Sequence, residues 1–480
     1  MVFSSPGFLF YFLPLFFLLY FVSGRRNSVI LLGSLLFYAW GGPAQVPLLL
    51  FYIVLNYGFG LAVAAMPGRR WVLGLGIALD LVLLLVYKYL GFLENQADTG
   101  LGWVGAGPVP HTDLALPLGI SFFTFQGISY LIDIARGEVT AQRSLLDFAM
   151  YKTMFPQLIA GPIVRYRQIV GRIEHRRVSL FRLRHGAMLF TLGLAQKCLI
   201  ANTVAYPADM IFKLPDGQLT AASAWLAALC YMVQILFDFG GYSTMAIGLG
   251  HMMGFTYPPN FDRPYTAQSV TEFWRRWHIS LSTWFRDYLY IPLGGSRGGP
   301  WRTYRNLFSV FLLCGLWHGA SWTFAVWGLY HGAFLVLERL GWGRVLARLW
   351  RPLRHLYLLL AVLVGWVLFR AGSLHQAGHF LATMSGFGDG TAGLAPAARF
   401  LTPSVATALA VAALACALPS LSERQVQAAL RRLLAARPAW RPAGDSAVAL
   451  AFGAGSLALC GMAALRLATN TYNPFIYFRF

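Results

Sequence analysis

The sequence predicts an all-α, polytopic integral membrane protein of about 11–12 transmembrane helices, with re-entrant and interfacial helices added. Three observations carry this. Of the 480 residues, 57% are hydrophobic, 15% aromatic and only 12% charged, with a mean hydropathy of +0.57, whereas soluble domains carry about 25% charged residues. The apolar runs are continuous and of helical length, which excludes an outer-membrane barrel, whose strands alternate polar and apolar residues. Lysine and arginine fall in short loops between the runs, as in "SGRRN", "MPGRR", "RLRHG" and "RRLLAARPAWR", the pattern of cytoplasmic loops. The net charge of +20 therefore marks orientation in a membrane rather than nucleic-acid binding.

Spans are predicted near 7–23, 28–41, 46–65, 71–90, 116–134, 186–205, 219–238, 306–321, 322–340, 354–370, 400–418 and 446–465. The opening "MVFSSPGFLFYFLPLFFLLYF" lacks a basic leader and a small-residue cleavage site, so it reads as a first membrane helix. Alternation of basic loops puts Arg25, Arg26, Arg69, Arg70 and the region of Arg136 inside, and both termini outside. The apolar stretch 146–162 precedes the very basic "VRYRQIVGRIEHRRVSLFRLRH". Both of its flanks belong inside, so it should be re-entrant, and the Gly-Pro of "AGPIV" fits a broken helix covered by protein.

The segment 239–305 is too polar to span and falls on the cytoplasmic side. Its centre, "TEFWRRWHISLSTWFRDYLYIPLGG", has helical periodicity: Phe273, Trp277, Leu281, Trp284 and Tyr288 share one stripe, and Arg275, Ser282 and Arg286 lie opposite. His278 is expected at the rim between them. Such a helix lies in the interface or walls a polar cavity. The basic piece 421–443 is a second interfacial candidate. The chain reads as one membrane domain over 1–480, with residues 1–340 carrying the motifs and 341–480 forming C-terminal helices.

Ionisable groups at membrane depth cost about 2.5–3.5 kcal/mol on insertion scales and are functional candidates. Asp80, Asp238, Glu338, His318 and His331 qualify. Asp80 is expected to pair with a neighbouring helix, and Glu338, beside Arg339, to be solvated or paired at a surface. His318 and His331 sit in two pentads, "GLWHG" and "GLYHG", thirteen residues apart. Each pentad matches G-x-x-x-G, which lets helix backbones approach closely, and small flanking residues also leave room beside an imidazole for a substrate. One straight helix would hold the pentads about 20 Å apart, but "GASW" is a candidate break. Spacing alone does not rank the two histidines. "GGSRG" matches a nucleophile elbow in letters only: the elbow needs a strand before it, whereas an amphipathic helix and a proline precede this one and "GPWR" follows, so it reads as a basic interfacial loop. The five cysteines show no CxxC pair or metal-ligand spacing, so neither disulfide nor bound metal is expected.

Several stretches together resemble the membrane-bound O-acyltransferase family in its bacterial polysaccharide branch. They are "MVFSSPGFLFYFLPLFF", "LPLGISFFTFQGISYLID", "FPQLIAGPIVRY", "FDFGGYSTMAIGLG", "NFDRPYTAQSVTEFWRRWHISLSTWFRDYLYIPLGGSRGG", "GLWHGASWTFAVWGLYHG" and the terminal "NPFIYFRF". The resemblance covers residues 1 to about 340 and the tail. It implies that His318, in the W-H-G element, is catalytic, and that His278 is the second family histidine. No catalytic role passes to His331. Thr244 stands where related sequences often have Asp, a departure that leaves Asp238 as the nearby acidic residue.

The implied reaction moves an acetyl group from a cytoplasmic donor, acetyl-CoA, across a bacterial inner membrane for O-acetylation of an exported polysaccharide, with a separate periplasmic SGNH-type partner completing it. Because donor and acceptor lie on opposite sides, the site is expected in a central passage, with Asp238, Trp317, Ser321 and His331 as candidate lining. Arg275, Arg276 and Arg286 are candidates for holding the anionic donor, although orientation alone also places arginine there. A histidine base would take the hydroxyl proton during attack, with His278 or Arg275 facing the developing oxyanion. D-alanyl or other acyl transfer to a cell-wall polymer, lipid or protein stays open. A transporter of an anionic solute is the reading from another class; it would show inverted repeats and paired broken helices, and the sequence shows neither.

Overall fold

A computed structural model describes residues 2–112, 114–387, 396–418, 423–433, 441–469 and 472–476. Among these residues the regular structure is helical. The first half contains α1 (Phe8–Val22), α2 (Arg26–Gly41), α3 (Val46–Ala65), α4 (Arg70–Trp103), α5 (Ile120–Ala135), α6 (Leu145–Thr153), α7 (Tyr166–Glu174), α8 (Leu180–Ile211) and α9 (Ala221–Met252). Then follow α10 (Val270–Arg276), α11 (Ile279–Phe285), α12 (Gly299–His318), α13 (Trp322–Leu337), α14 (Arg351–Arg370) and α15 (Leu374–Met384). The last are α16 (Pro403–Ala417), α17 (Glu423–Leu433) and α18 (Arg441–Thr469).

Each of the twelve predicted spans falls on a helix. Among the described residues six helices are long and apolar enough to cross a membrane, and α4 and α9 run well past their predicted ends. Of the interfacial candidate 421–443, α17 is described, while 421–422 and 434–440 lie outside the described residues.

The stretch predicted to be re-entrant is a broken helix enclosed by protein. After α6 a single turn, Phe155–Leu158, leads into irregular chain up to α7, and residues 148–166 are all buried. Irregular backbone at such depth must find partners inside the protein. Phe155 N–H donates to Ser34 Oγ at 3.0 Å, Ile163 N–H to Ser280 Oγ at 3.0 Å, and the Val164 carbonyl accepts from the Tyr151 hydroxyl at 3.1 Å. Asp80 pairs with a neighbouring helix as expected: it is fully buried and accepts from Asn56 Nδ2 on α3 at 2.8 Å.

Three expectations need correction. The chain from 239 does not leave the bundle at once, because α9 continues to Met252 with most of its residues buried. It packs closely on α8, where a Cβ on Gly241 would lie 2.7 Å from the Gly193 carbonyl oxygen. Thr244 returns its hydroxyl to the Gly240 carbonyl of the same helix.

The apolar stripe Phe273, Trp277, Leu281, Trp284 and Tyr288 is buried as predicted, but it rides on two helices. The break falls at His278, which has φ 43° and is fully buried rather than at the rim.

Glu338 is not solvated. Its carboxylate accepts from the Val270 and Thr271 amides at 2.7 and 2.9 Å and from the Tyr357 hydroxyl at 3.1 Å, so it caps α10 from another part of the chain. Exposed amides at a helix start carry partial positive charge that a carboxylate offsets. Glu338→Ala leaves these donors unmatched and is expected to cost about 1–3 kcal/mol. Thermal unfolding of the detergent-solubilised protein checks it, with Glu338→Gln losing less because one acceptor oxygen remains.

Candidate functional site

The two histidine pentads meet through their first glycines. Gly315 on α12 and Gly328 on α13 face each other so closely that a Cβ on either would lie 3.2 Å from the other's Cα. The same Cβ would lie 2.2 Å from a backbone oxygen, that of Phe324 for Gly315 and that of Phe311 for Gly328. The helix does break between them: α12 ends at His318, and Ser321, with an extended backbone, begins α13. The Ser321 hydroxyl pairs locally with Thr323 Oγ1 at 2.8 Å. The two helices therefore run back against each other, and both histidines flank one indole. The Trp327 ring centroid lies 5.1 Å from that of His318 and 5.1 Å from that of His331.

Their surroundings then differ. His331 is fully buried, with Phe273, Trp274, Trp327 and Tyr330 rings around it. His318 is 6% exposed and lines a cavity of about 220 Å³ with Trp317, Lys88, Ser121 and the irregular stretch that leads into α5. Its Nδ1 is buried without a partner, as are both ring nitrogens of His331, so the cavity, not hydrogen bonding, separates the two.

Lys88, which the sequence reading passed over, fixes this end of α12. Its Nζ donates to the Trp317 carbonyl at 2.5 Å, to the His318 carbonyl at 3.2 Å and to Ser121 Oγ at 3.3 Å. The neighbouring Tyr89 hydroxyl donates to the Leu316 carbonyl. The last carbonyls of a helix have no partner within it, and a cation there offsets their partial negative charge. An ammonium has three protons, and here three acceptors surround it, so Lys88 acts on the helix end rather than offering a free donor to a substrate. The cost argument that singled out Asp80 applies equally to Lys88, inside the predicted span 71–90. Lys88→Met keeps the length and removes the donors. It is expected to lower acyl transfer at least about tenfold, one lost charged hydrogen bond being worth about 1.5–3 kcal/mol, with Lys88→Arg recovering part of it.

His278 approaches from the other side of Trp317, at 6.2 Å between ring centroids, while Trp317 lies 4.9 Å from His318. The break that carries it is tied by Asn260, whose Oδ1 contacts His278 Nδ1 at 3.1 Å and accepts from Ser280 Oγ at 2.8 Å. The Asn260 carbonyl accepts from the Ile279 amide at 2.9 Å. A left-handed non-glycine residue costs about 1–3 kcal/mol and persists only when its surroundings hold it. Asn260 and the Ser280 contact with the broken segment supply that hold.

The remaining candidates lie apart from the cavity wall. Arg275 is exposed, Arg276 pairs with Glu272 at 2.7 Å, and Arg286 pairs with Asp287 at 2.8 Å. Asp287 also binds Arg165 of the broken segment at 2.7 Å. Burial raises the pKa of its carboxyl, but hydrogen bonds from Arg286 and Arg165 outweigh this and hold it below the usual carboxylate range. Asp238 is committed elsewhere: it pairs with Lys197 at 2.7 Å and accepts from the Ile476 amide at 2.8 Å, anchoring the C-terminal tail.

The helices thus form a membrane bundle in which one histidine, with an unpartnered Nδ1, lines a cavity and a second lies one indole away. Residues 112–374, which include His278, His318 and His331, match the membrane-bound O-acyltransferase family. A relative from Azotobacter vinelandii described as a probable alginate O-acetylase, AlgI, is 42% identical over 503 residues, covering the whole of both chains. One of the same description from Pseudomonas putida is 43% identical over 492 residues, again covering the whole of both. A peptidoglycan O-acetyltransferase from Helicobacter pylori is 36% identical over 428 residues, 80% of each chain. The chain belongs to the membrane-bound O-acyltransferase family and is a multi-pass membrane O-acyltransferase.

Proposed function

We propose that this protein takes an acetyl group from acetyl-CoA on the cytoplasmic face of a bacterial inner membrane and passes it through the bundle for O-acetylation of an exported polysaccharide. A separate periplasmic SGNH-type protein receives the group and completes the transfer, and both termini of the chain are periplasmic. The observation that carries the reading is His318, an imidazole with an unpartnered Nδ1 on the wall of a cavity. The names of the relatives, two alginate O-acetylases and a peptidoglycan O-acetyltransferase, support acetyl as the group and a glycan as its destination.

In the proposed reaction a hydroxyl oxygen attacks the thioester carbonyl carbon while His318 takes the hydroxyl proton. The tetrahedral adduct collapses, the C–S bond breaks, and the proton passes from the imidazolium to the departing thiolate, giving ester and free thiol. Positioned proton transfer of this kind contributes about 10²–10⁴-fold. His278, across Trp317, is proposed to face the developing oxyanion, and Arg275, Arg276 and Arg286 to draw the anionic donor to the inner face.

The reading is tested with the purified protein in proteoliposomes, supplied with labelled acetyl-CoA and the separate acceptor protein. The expected result is acceptor-dependent release of free CoA with label on the acceptor. Absence of release, with transfer instead from a D-alanyl-charged carrier protein, would replace acetyl by D-alanyl transfer.

A further inference from the structure

A second concavity lies away from the histidines, where three apolar helices reach one face of the membrane. The end of α3, the start of α4 and the end of α5 enclose a groove of about 1060 Å³. Its floor is hydrocarbon, including Leu73, Ile132, Ile134 and Val139, and four arginines, Arg69, Arg70, Arg136 and Arg143, line it as well. Arg69 and Arg70 sit at the junction of two candidate spans, and Arg136 caps the end of α5. The cations therefore stand at the ends of apolar helices, where a span meets the headgroup region.

The cations are poorly compensated. Arg136 donates to the Asp287 carbonyl at 3.1 Å and has Glu138 at 3.9 Å. Among the described residues, no carboxylate lies within ion-pair distance of Arg69, Arg70 or Arg143. Guanidinium groups above an apolar groove, at headgroup depth, complement a phosphate that carries acyl chains. Basic pockets between membrane helices bind anionic lipid headgroups for this reason.

We propose that this groove is a binding site for one anionic glycerophospholipid, its phosphate held by Arg69, Arg70 and Arg143 and an acyl chain lying along Leu73, Ile132 and Val139. The site is distinct from the cavity at His318 and does not depend on the acetyl-transfer reading. Bound there, the lipid would tie together the ends of α3, α4 and α5, the last of which leads back to Ser121 at the cavity.

Native mass spectrometry of the full chain, delipidated in detergent and titrated with phosphatidylglycerol or phosphatidylcholine, tests it. The expected result is one phosphatidylglycerol retained at least about tenfold more tightly than phosphatidylcholine. The triple substitution Arg69→Gln, Arg70→Gln, Arg143→Gln should lose that preference, while Arg302→Gln, at another exposed arginine, should keep it. Equal retention of phosphatidylglycerol by the triple variant and the wild type would overturn the proposal. So would displacement of the bound lipid by coenzyme A, since the arginines would then serve the donor's phosphates.

Discussion

Gly328→Val, like its counterpart Gly315→Val, is expected to disrupt the crossing of α12 and α13 severely. A Cβ at Gly328 lies 2.2 Å from the Phe311 carbonyl oxygen and 3.2 Å from the Gly315 Cα. Both neighbours are backbone, so no side-chain rotation relieves the contact and the helices must separate. Overpacking of a tight interior typically costs about 1–3 kcal/mol, and a backbone clash belongs at or above the top of that range. Separation would also move Trp327, the indole that both histidines share, so transfer should fall with stability. Thermal unfolding and monodispersity in detergent check this. Gly332→Ala is the comparison: its Cβ meets Phe311 Cβ at 3.3 Å, a contact relieved by a displacement of a few tenths of an ångström rather than by parting the helices. A Gly328→Val protein with wild-type unfolding temperature and activity would show that the pentads do not hold the crossing.

His318→Ala is expected to reduce acyl transfer by about 10²–10⁴-fold, measured at matched membrane abundance. The side chain is on a cavity wall and its Nδ1 makes no bond within the protein, so its removal breaks no hydrogen bond at that nitrogen, although the ring also packs on Trp317, Trp327 and Phe369. A base acts on the chemical step, and the loss should therefore fall on kcat with little change in KM. His331→Ala should behave differently. That ring fills space among Phe273, Trp274, Trp327 and Tyr330, so its truncation should lower stability and reduce transfer less than His318→Ala does. Equal kinetic loss at matched stability would mean that His331 takes part in the chemistry.

Much of the bundle was legible because membrane helices announce themselves locally. A run of apolar residues, a basic loop and the next run are properties of neighbouring residues, and α3 coincides with its predicted span, 46–65. The broken segment was legible for the same reason, from its Gly-Pro and its basic flank. The stripe from Phe273 to Tyr288 was right about which side chains are buried and wrong about continuity. Nothing in "RRWHISL" signals a break, having neither glycine nor proline, and the left-handed backbone at His278 is held by Asn260 and Ser280 through contacts made only in the fold. Glu338 capping α10, Asp238 holding the tail and Lys88 closing α12 are likewise long-range pairings. Sequence shows that such groups are costly at membrane depth, but not which partner relieves the cost.

The candidate site shows the same division. Close packing at the pentads could be read from G-x-x-x-G, and Gly315 does meet Gly328. Spacing could not tell His318 from His331, because their difference lies in the third wall of each histidine's surroundings. His331 meets α10 there, whereas His318 faces the cavity between α4 and the start of α5.

The claim that His318 is the base is tested most directly by the acetate ester content of the exported polysaccharide in cells whose only copy of the protein carries His318→Ala, at wild-type membrane abundance. The expected result is ester reduced to background. Ester at the wild-type level would contradict it.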